Sequence, residues 1–121
     1  MEEIARLDHV YQYNELMGIE TLHPLVSVID MSKCPRMRHS RRLYGFYCIF
    51  LKDVKCGDLR YGRNYYDYQE GTLVFTAPGQ VVGVEDNGEV FQPKGWALLF
   101  HPDLIRGTSL GRNIGRYTFF S

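Results

Sequence analysis

The chain has 121 residues, 45% of them hydrophobic and 14% aromatic, with 14 Lys+Arg balanced by 14 Asp+Glu for a formal net charge of zero. That length makes a single domain, able to bury roughly two-thirds of its unfolded surface. A neutral balance excludes a uniformly basic face for gripping nucleic acid.

The N-terminus, Met1-Glu2-Glu3-Ile4, has neither the basic nor the apolar region of a signal peptide. No apolar run is long enough to cross a bilayer. The three cysteines, Cys34, Cys48 and Cys56, are odd in number and hold no CxxC pair, which reads as reduced thiols in a cytoplasmic protein.

In chain order, residues 8–18 predict one short helix, with Asp8 placed to cap it and Gly18 to stop it. Val10, Tyr11, Asn14 and Met17 lie along one side. That mixed face suits a helix packed across the outside of a larger body. Leu25–Ile29 reads as a strand, and Met31–Arg42 as a polar loop.

Leu43–Leu51 is the longest apolar run, with Tyr44, Phe46, Cys48 and Phe50 on one face and Gly45, Tyr47, Ile49 and Leu51 on the other. A strand apolar on both faces is covered on both sides or forms an interface. Short strands then recur: 58–61 and 64–68 around Gly62-Arg63, 72–77 after Glu70-Gly71, and 81–85 after Pro78-Gly79. Asp86-Asn87-Gly88 turns the chain, 95–101 is a strand, 104–110 a loop or helical turn, and Tyr117 begins a last strand. About eight short strands with Gly and Pro turns indicate an all-β sandwich or barrel. The chain stops inside the apolar Phe119-Phe120-Ser121, which reads as a piece of a longer protein.

With the strands laid out, four stretches carry a family likeness: HPLVSVID (23–30), YGFYCIFLKD (44–53), DYQEGTLVFTAPGQVV (67–82) and GWALLFHPDLIRGTSLG (95–111). Together they span most of residues 20–120, and the third is the most specific. Gly71, an apolar strand and then Pro78-Gly79 approximate the second cupin motif with a one-residue offset. In this order the chain resembles the N-terminal regulatory domain of AraC-type transcriptional regulators. The resemblance implies a cupin-like double-stranded β-helix (a jelly-roll barrel) over about 23–121 that binds an effector, often a sugar or small metabolite. It also implies a DNA-binding domain beyond residue 121, since nothing after residue 20 reads as two helices around a turn.

Cupin enzymes bind a divalent metal through an H-x-H pair, a Glu and a later His. Here the histidines are His9, His23, His39 and His101, with none between residues 40 and 100, and Val82 stands where the motif has its His. No metal, no other cofactor and no catalytic residue are expected. His23 and His101, each before Pro, suit strand ends satisfied by local hydrogen bonds. Cys48 has no His near it in sequence, and 107–111 lacks the Lys of a phosphate loop.

The best binding candidates are Arg60, Tyr61, Tyr66 and Tyr68, beside Tyr65 and Arg63, with Trp96 and Lys52. Phenol rings with guanidinium donors suit a sugar or other polar metabolite, although a twisted hairpin also favours cross-strand Tyr with no ligand at all. Trp96 either floors a pocket or cements the core or a dimer contact. Lys52 either emerges into solvent beside Asp53 or meets a polar ligand at the barrel mouth. Lys33, Arg36, Arg38, Arg41 and Arg42 form a basic run, a solvated loop or an anion contact. The leading expectation is an effector-sensing domain of a bacterial regulator, a possible homodimer with no membrane partner. The alternatives are a small cupin-fold enzyme acting on a sugar and a ligand-free dimerisation module.

Overall fold

Alternating apolar positions in short segments separated by Gly and Pro give a chain that folds mostly into β-strands. In the computed structural model the described residues are 4–52, 57–61, 64–68, 72–117 and 120, with side chains described for 4–51, 73–117 and 120. Strands β1 (Ala5–Leu7), β4 (Arg42–Tyr44), β9 (Val81–Val82), β6 (Gly57–Tyr61) and β7 (Asn64–Tyr68) form one sheet in that order. A second sheet runs β2 (Val26–Asp30), β11 (Trp96–Phe100), β5 (Tyr47–Lys52), β8 (Thr72–Thr76), and β3 (Met37–Arg38) pairs with β10 (Val90–Phe91). β1 and β4 are parallel; the other described pairs are antiparallel. Among the described residues no strand pairing joins the two larger sheets into a closed barrel.

The long apolar run is not one strand. It breaks at Gly45-Phe46 and passes from the five-stranded sheet in β4 to the four-stranded sheet in β5. The break has a steric cause. A Cβ on Gly45 would lie 2.9 Å from the Asp8 carbonyl oxygen, and the Gly45 N–H donates to the Leu7 carbonyl at 2.8 Å. Only glycine lets the two backbones approach this closely at the corner.

Helix α1 (Val10–Leu16) follows β1, and the Gln12 Oε1 accepts from the N–H groups of both Asp8 and His9 at 2.8 Å. The expected carboxylate cap is not used: Asp8 pairs with Arg6 instead. Gly18, at φ 70°, ends the helix as expected. Its packing differs from the expectation of an outside helix. Val10, Tyr13, Asn14 and Met17 are buried at i, i+3, i+4 and i+7, while Tyr11 is exposed. Asn14 is satisfied there, donating to Thr21 Oγ1 at 3.1 Å and accepting from Ser27 Oγ at 2.8 Å, so a polar clamp ties α1 to β2.

These helix residues join Ile29, Tyr44, Phe46, Cys48, Phe50, Val74, Val82, Ala97 and Leu99 in one core shared by both sheets. A second cluster lies on the opposite face of the four-stranded sheet. There α2 (Pro102–Ile105), α3 (Ser109–Asn113) and the 3₁₀ turn Ile114–Arg116 seat Ile105 and Ile114, with Phe120, against Phe100, Tyr47 and Phe75. Two short helices thus stand where a loop or single turn was expected, each too short to serve as a recognition helix. They fold because His101 Nδ1 accepts from the Asp103 N–H ahead of α2 and Thr108 Oγ1 from the Gly111 N–H in α3.

One other expectation is corrected. The strand expected over 81–85 ends after Val82, because Gly83 turns at φ 98° with the Ser40 carbonyl packed where a Cβ would be. Of the strand expected from Tyr117, residues 118 and 119 lie outside the described residues; at its two described positions the Phe120 N–H donates to the Tyr117 carbonyl at 3.1 Å.

Candidate functional site

Strand register decides which candidate residues share a face. Val82 sits opposite both Arg42 and Tyr61, so β4, β9 and β6 place these three on one row, and buried Val82 marks it as the core face. In the β6–β7 hairpin Tyr61 pairs with Asn64, Leu59 with Tyr66 and Gly57 with Tyr68. By alternation Tyr61, Tyr66 and Tyr68 hold positions on the face of Val82 and Arg42. Arg60, paired with Tyr65, holds a position on the other face together with Asp58 and Asp67. The side chains of Lys52, Arg60, Tyr61, Tyr66 and Tyr68 lie outside the described residues, as do those of Tyr65 and Arg63; in backbone register Lys52 pairs with Thr72.

Two residues on this face were not among the sequence candidates: Arg42, assigned to the basic loop, and Tyr44, assigned to an apolar strand. The signal was present, since extending the Tyr44–Phe46–Cys48 alternation back by two positions reaches Arg42. Burial pushes the Tyr44 phenol up to about 12, with the Arg42 guanidinium opposing the shift. Burial also raises Tyr13 well above its ordinary value, reinforced by Tyr44 and Cys48 and again opposed by Arg42. The rings of Tyr13 and Tyr44 meet edge-on at 5.6 Å. Cys48 is pushed up to about 12 by burial, with Thr76 across the strand pair opposing the shift. At neutral pH the phenols and the thiol stay protonated beside a permanent cation. They are hydrogen-bond donors, not bases or nucleophiles.

Trp96 is elsewhere. It lies on the outer face of the four-stranded sheet, half exposed, opposite Asp30 and Leu51. It therefore does not come together with the hairpin tyrosines. Also on that side is a cavity of about 250 Å³ lined by Tyr47, Ile105, Arg106, Gly111, Arg112 and Ile114. Its two guanidinium groups are already engaged, Arg106 with Asp103 and Arg112 with the Gly107 carbonyl.

Two cations of the basic run are paired with carboxylates. Arg38 pairs with Asp86 at 2.9 Å and Arg41 with Glu85 at 3.4 Å. Among the histidines, Nδ1 of His23 accepts from the Leu25 N–H at 3.0 Å and that of His101 from the Asp103 N–H at 3.1 Å, while His39 stacks on Phe91. Among the described residues no three His, Cys, Asp or Glu side chains cluster as metal ligands, and no helix is long and apolar enough to cross a membrane.

No family model, curated protein or solved structure matches this chain. The described polar groups on the core face include one guanidinium and two buried phenols.

Proposed function

We propose that this chain is the effector-sensing and dimerisation domain of an AraC-type transcription regulator, folded as a cupin-like double-stranded β-helix. The observation that carries the reading is the placement of Tyr13 and Tyr44 beside Arg42 in the core, with Val82 opposite Arg42 and the backbone positions of Tyr61, Tyr66 and Tyr68 in register with that face. A fixed cation beside phenol donors suits a small polar metabolite, a sugar among them. The order of the four family-like stretches supports the same reading. Effector binding acts by differing affinity for two arrangements of the regulator, and DNA contact belongs to a separate C-terminal domain. In this reading the domain is cytoplasmic, non-enzymatic and free of metal and other cofactors.

A second reading, a dimerisation module that senses nothing, is favoured by one feature. Val10, Tyr13, Met17 and Phe46 fill the described interior between the sheets.

Thermal unfolding against a panel of sugars and small polar acids separates the two. A ligand at a hundred times its Kd adds about 2.7 kcal/mol, roughly 10 °C for a domain of this size. Arg42→Gln is expected to remove that shift. A panel without any shift overturns the sensing function. Reading the gene past the Ser121 codon tests the family: a pair of helix-turn-helix motifs is expected, and their absence overturns the AraC assignment.

A further inference from the structure

Of the four asparagines in the chain, Asn14, Asn64, Asn87 and Asn113, only Asn87 is followed by glycine. A glycine nitrogen is the least hindered of backbone nucleophiles, because no Cβ stands beside it. Residues 85–90 are all exposed, and a Cβ on Gly88 would meet only the Arg38 guanidinium, at 4.0 Å. Water and the attacking nitrogen both have room. Three hydrogen bonds of the turn arrange the reacting atoms. The Gly88 N–H donates to Asp86 Oδ1 at 2.8 Å, so a carboxylate already rests on the proton that must leave. That same bond, with Arg38 adding to it, keeps Asp86 in its ionised, accepting form. On the other reacting group, the Glu89 N–H donates to Asn87 Oδ1 at 3.0 Å. This donor draws electron density from Cγ and stabilises the charge that grows on Oδ1 during attack. Asn87 Nδ2, the group to be expelled, donates to Glu89 Oε2 at 3.5 Å.

We propose that Asn87 is a self-modification site, where attack of the Gly88 nitrogen on the neighbouring side-chain amide converts asparagine into aspartate and isoaspartate. The Gly88 nitrogen gives up its proton toward Asp86 and bonds to Asn87 Cγ. The Cγ–Nδ2 bond then breaks, and Nδ2 takes up a proton and leaves as ammonia. Water opens the resulting cyclic succinimide. Addition at Cγ gives aspartate; addition at the main-chain carbonyl carbon gives isoaspartate, with the chain now running through the side chain. Water is consumed, ammonia is released, and nothing is oxidised or reduced. The nucleophile and the electrophile are neighbours in sequence, so no encounter has to be paid for in entropy. Either product adds a carboxylate next to Asp86, in the segment whose acids pair with Arg38 and Arg41. Isoaspartate also lengthens the main chain just before β10, whose two residues pair with β3. The reaction needs no effector and no second copy, so it stands apart from the proposed function.

The test is incubation of the purified chain at mildly alkaline pH and body temperature, sampled over days. Peptide-resolved mass spectrometry follows each asparagine, and an isoaspartyl methyltransferase assay follows the products. The expected result is the mass change of an amide becoming an acid at Asn87, with isoaspartate accumulating, while Asn14 and Asn113 stay amides. Those two are internal controls. Asn14 is buried in α1 with both ends of its amide bonded. Asn113 donates to the Ser109 carbonyl at 2.7 Å and precedes the branched Ile114. Gly88→Ala is expected to slow the conversion about tenfold by crowding the attacking nitrogen. Asp86→Ala is expected to slow it several-fold by removing the proton acceptor. An Asn87 amide that lasts as long as those of Asn14 and Asn113 overturns the proposal. So does a Gly88→Ala chain that converts at the parent rate. An Asp86→Ala chain that converts as fast as the parent overturns the part given to Asp86.

Discussion

On the inner face of the four-stranded sheet Ile29, Cys48, Phe50, Val74, Ala97 and Leu99 are each exposed by 5% or less. On the outer face Val28, Leu73 and Trp96, one residue away along the same strands, are half exposed or more. Side-chain chemistry does not separate the two sets. What separates them is the layer opposite among the described residues: α1 and the five-stranded sheet lie over the inner face, whereas two short helices and Phe120 pack on the outer one and leave Val28, Leu73 and Trp96 at least half exposed. An apolar strand position thus becomes core or exposed surface according to what the rest of the chain brings over it.

The sharpest test of that contrast uses one residue type on both faces. Leu99→Ala removes a fully buried side chain and is expected to lower stability by about 3 kcal/mol. Leu73→Ala on the same sheet is expected to change it by less than about 0.5 kcal/mol. Urea unfolding measures both, and equal losses would break the comparison.

Next in size is the corner that sends the apolar run from one sheet to the other. Gly45→Ala drives a Cβ into the Asp8 backbone and is expected to cost about 2 kcal/mol, seen as a lower urea midpoint. A neutral outcome would mean the corner relaxes freely and the inner layer is less tightly set than its burial indicates.

A smaller effect of opposite sign is expected inside the core. The Thr76 hydroxyl is buried without a hydrogen bond of good geometry, so Thr76→Val should be neutral or stabilising by up to about 1 kcal/mol. A clear destabilisation would point to a partner for that hydroxyl inside the sandwich.

The smallest effect lies at the surface. The Gly88 N–H, with Arg38 adding to it, holds the Asp86 carboxyl below its ordinary value. A lowered folded-state pKa stabilises above the unfolded carboxylate range, and that contribution is lost as pH falls through the folded value. Asp86→Asn should therefore flatten the acid limb of the stability–pH curve slightly and leave stability near pH 7 to 9 without slope. An unchanged acid limb would show that this exposed turn contributes nothing.

Much of the fold was legible in residue order. The paired strands 57–61 and 64–68 (the turn expected at Gly62-Arg63 lies outside the described residues), the strands beginning at Thr72 and ending at Phe100, the helix before Gly18 and the turn at Asp86–Gly88 all follow local rules of alternation and turn chemistry. The candidate site was legible only in part. Tyr61, Tyr66 and Tyr68 share register positions on one face, but Arg60 falls on the other and Trp96 on a different sheet. Arg42 could have been recovered from the alternation through Tyr44, yet the run of arginines before it looked like a solvated loop.

Residue order by itself determined the β character, the turns and the absence of a histidine between residues 40 and 100, because each depends on neighbours within a few positions. Tertiary structure decided that α1 enters the core, that the long apolar run divides at Gly45 between two sheets, and that Trp96 faces outward. Each of those outcomes depends on which distant segment lies across from a residue, such as Asp8 over Gly45 or Phe120 against Tyr47 and Phe75, and local alternation is the same in either case.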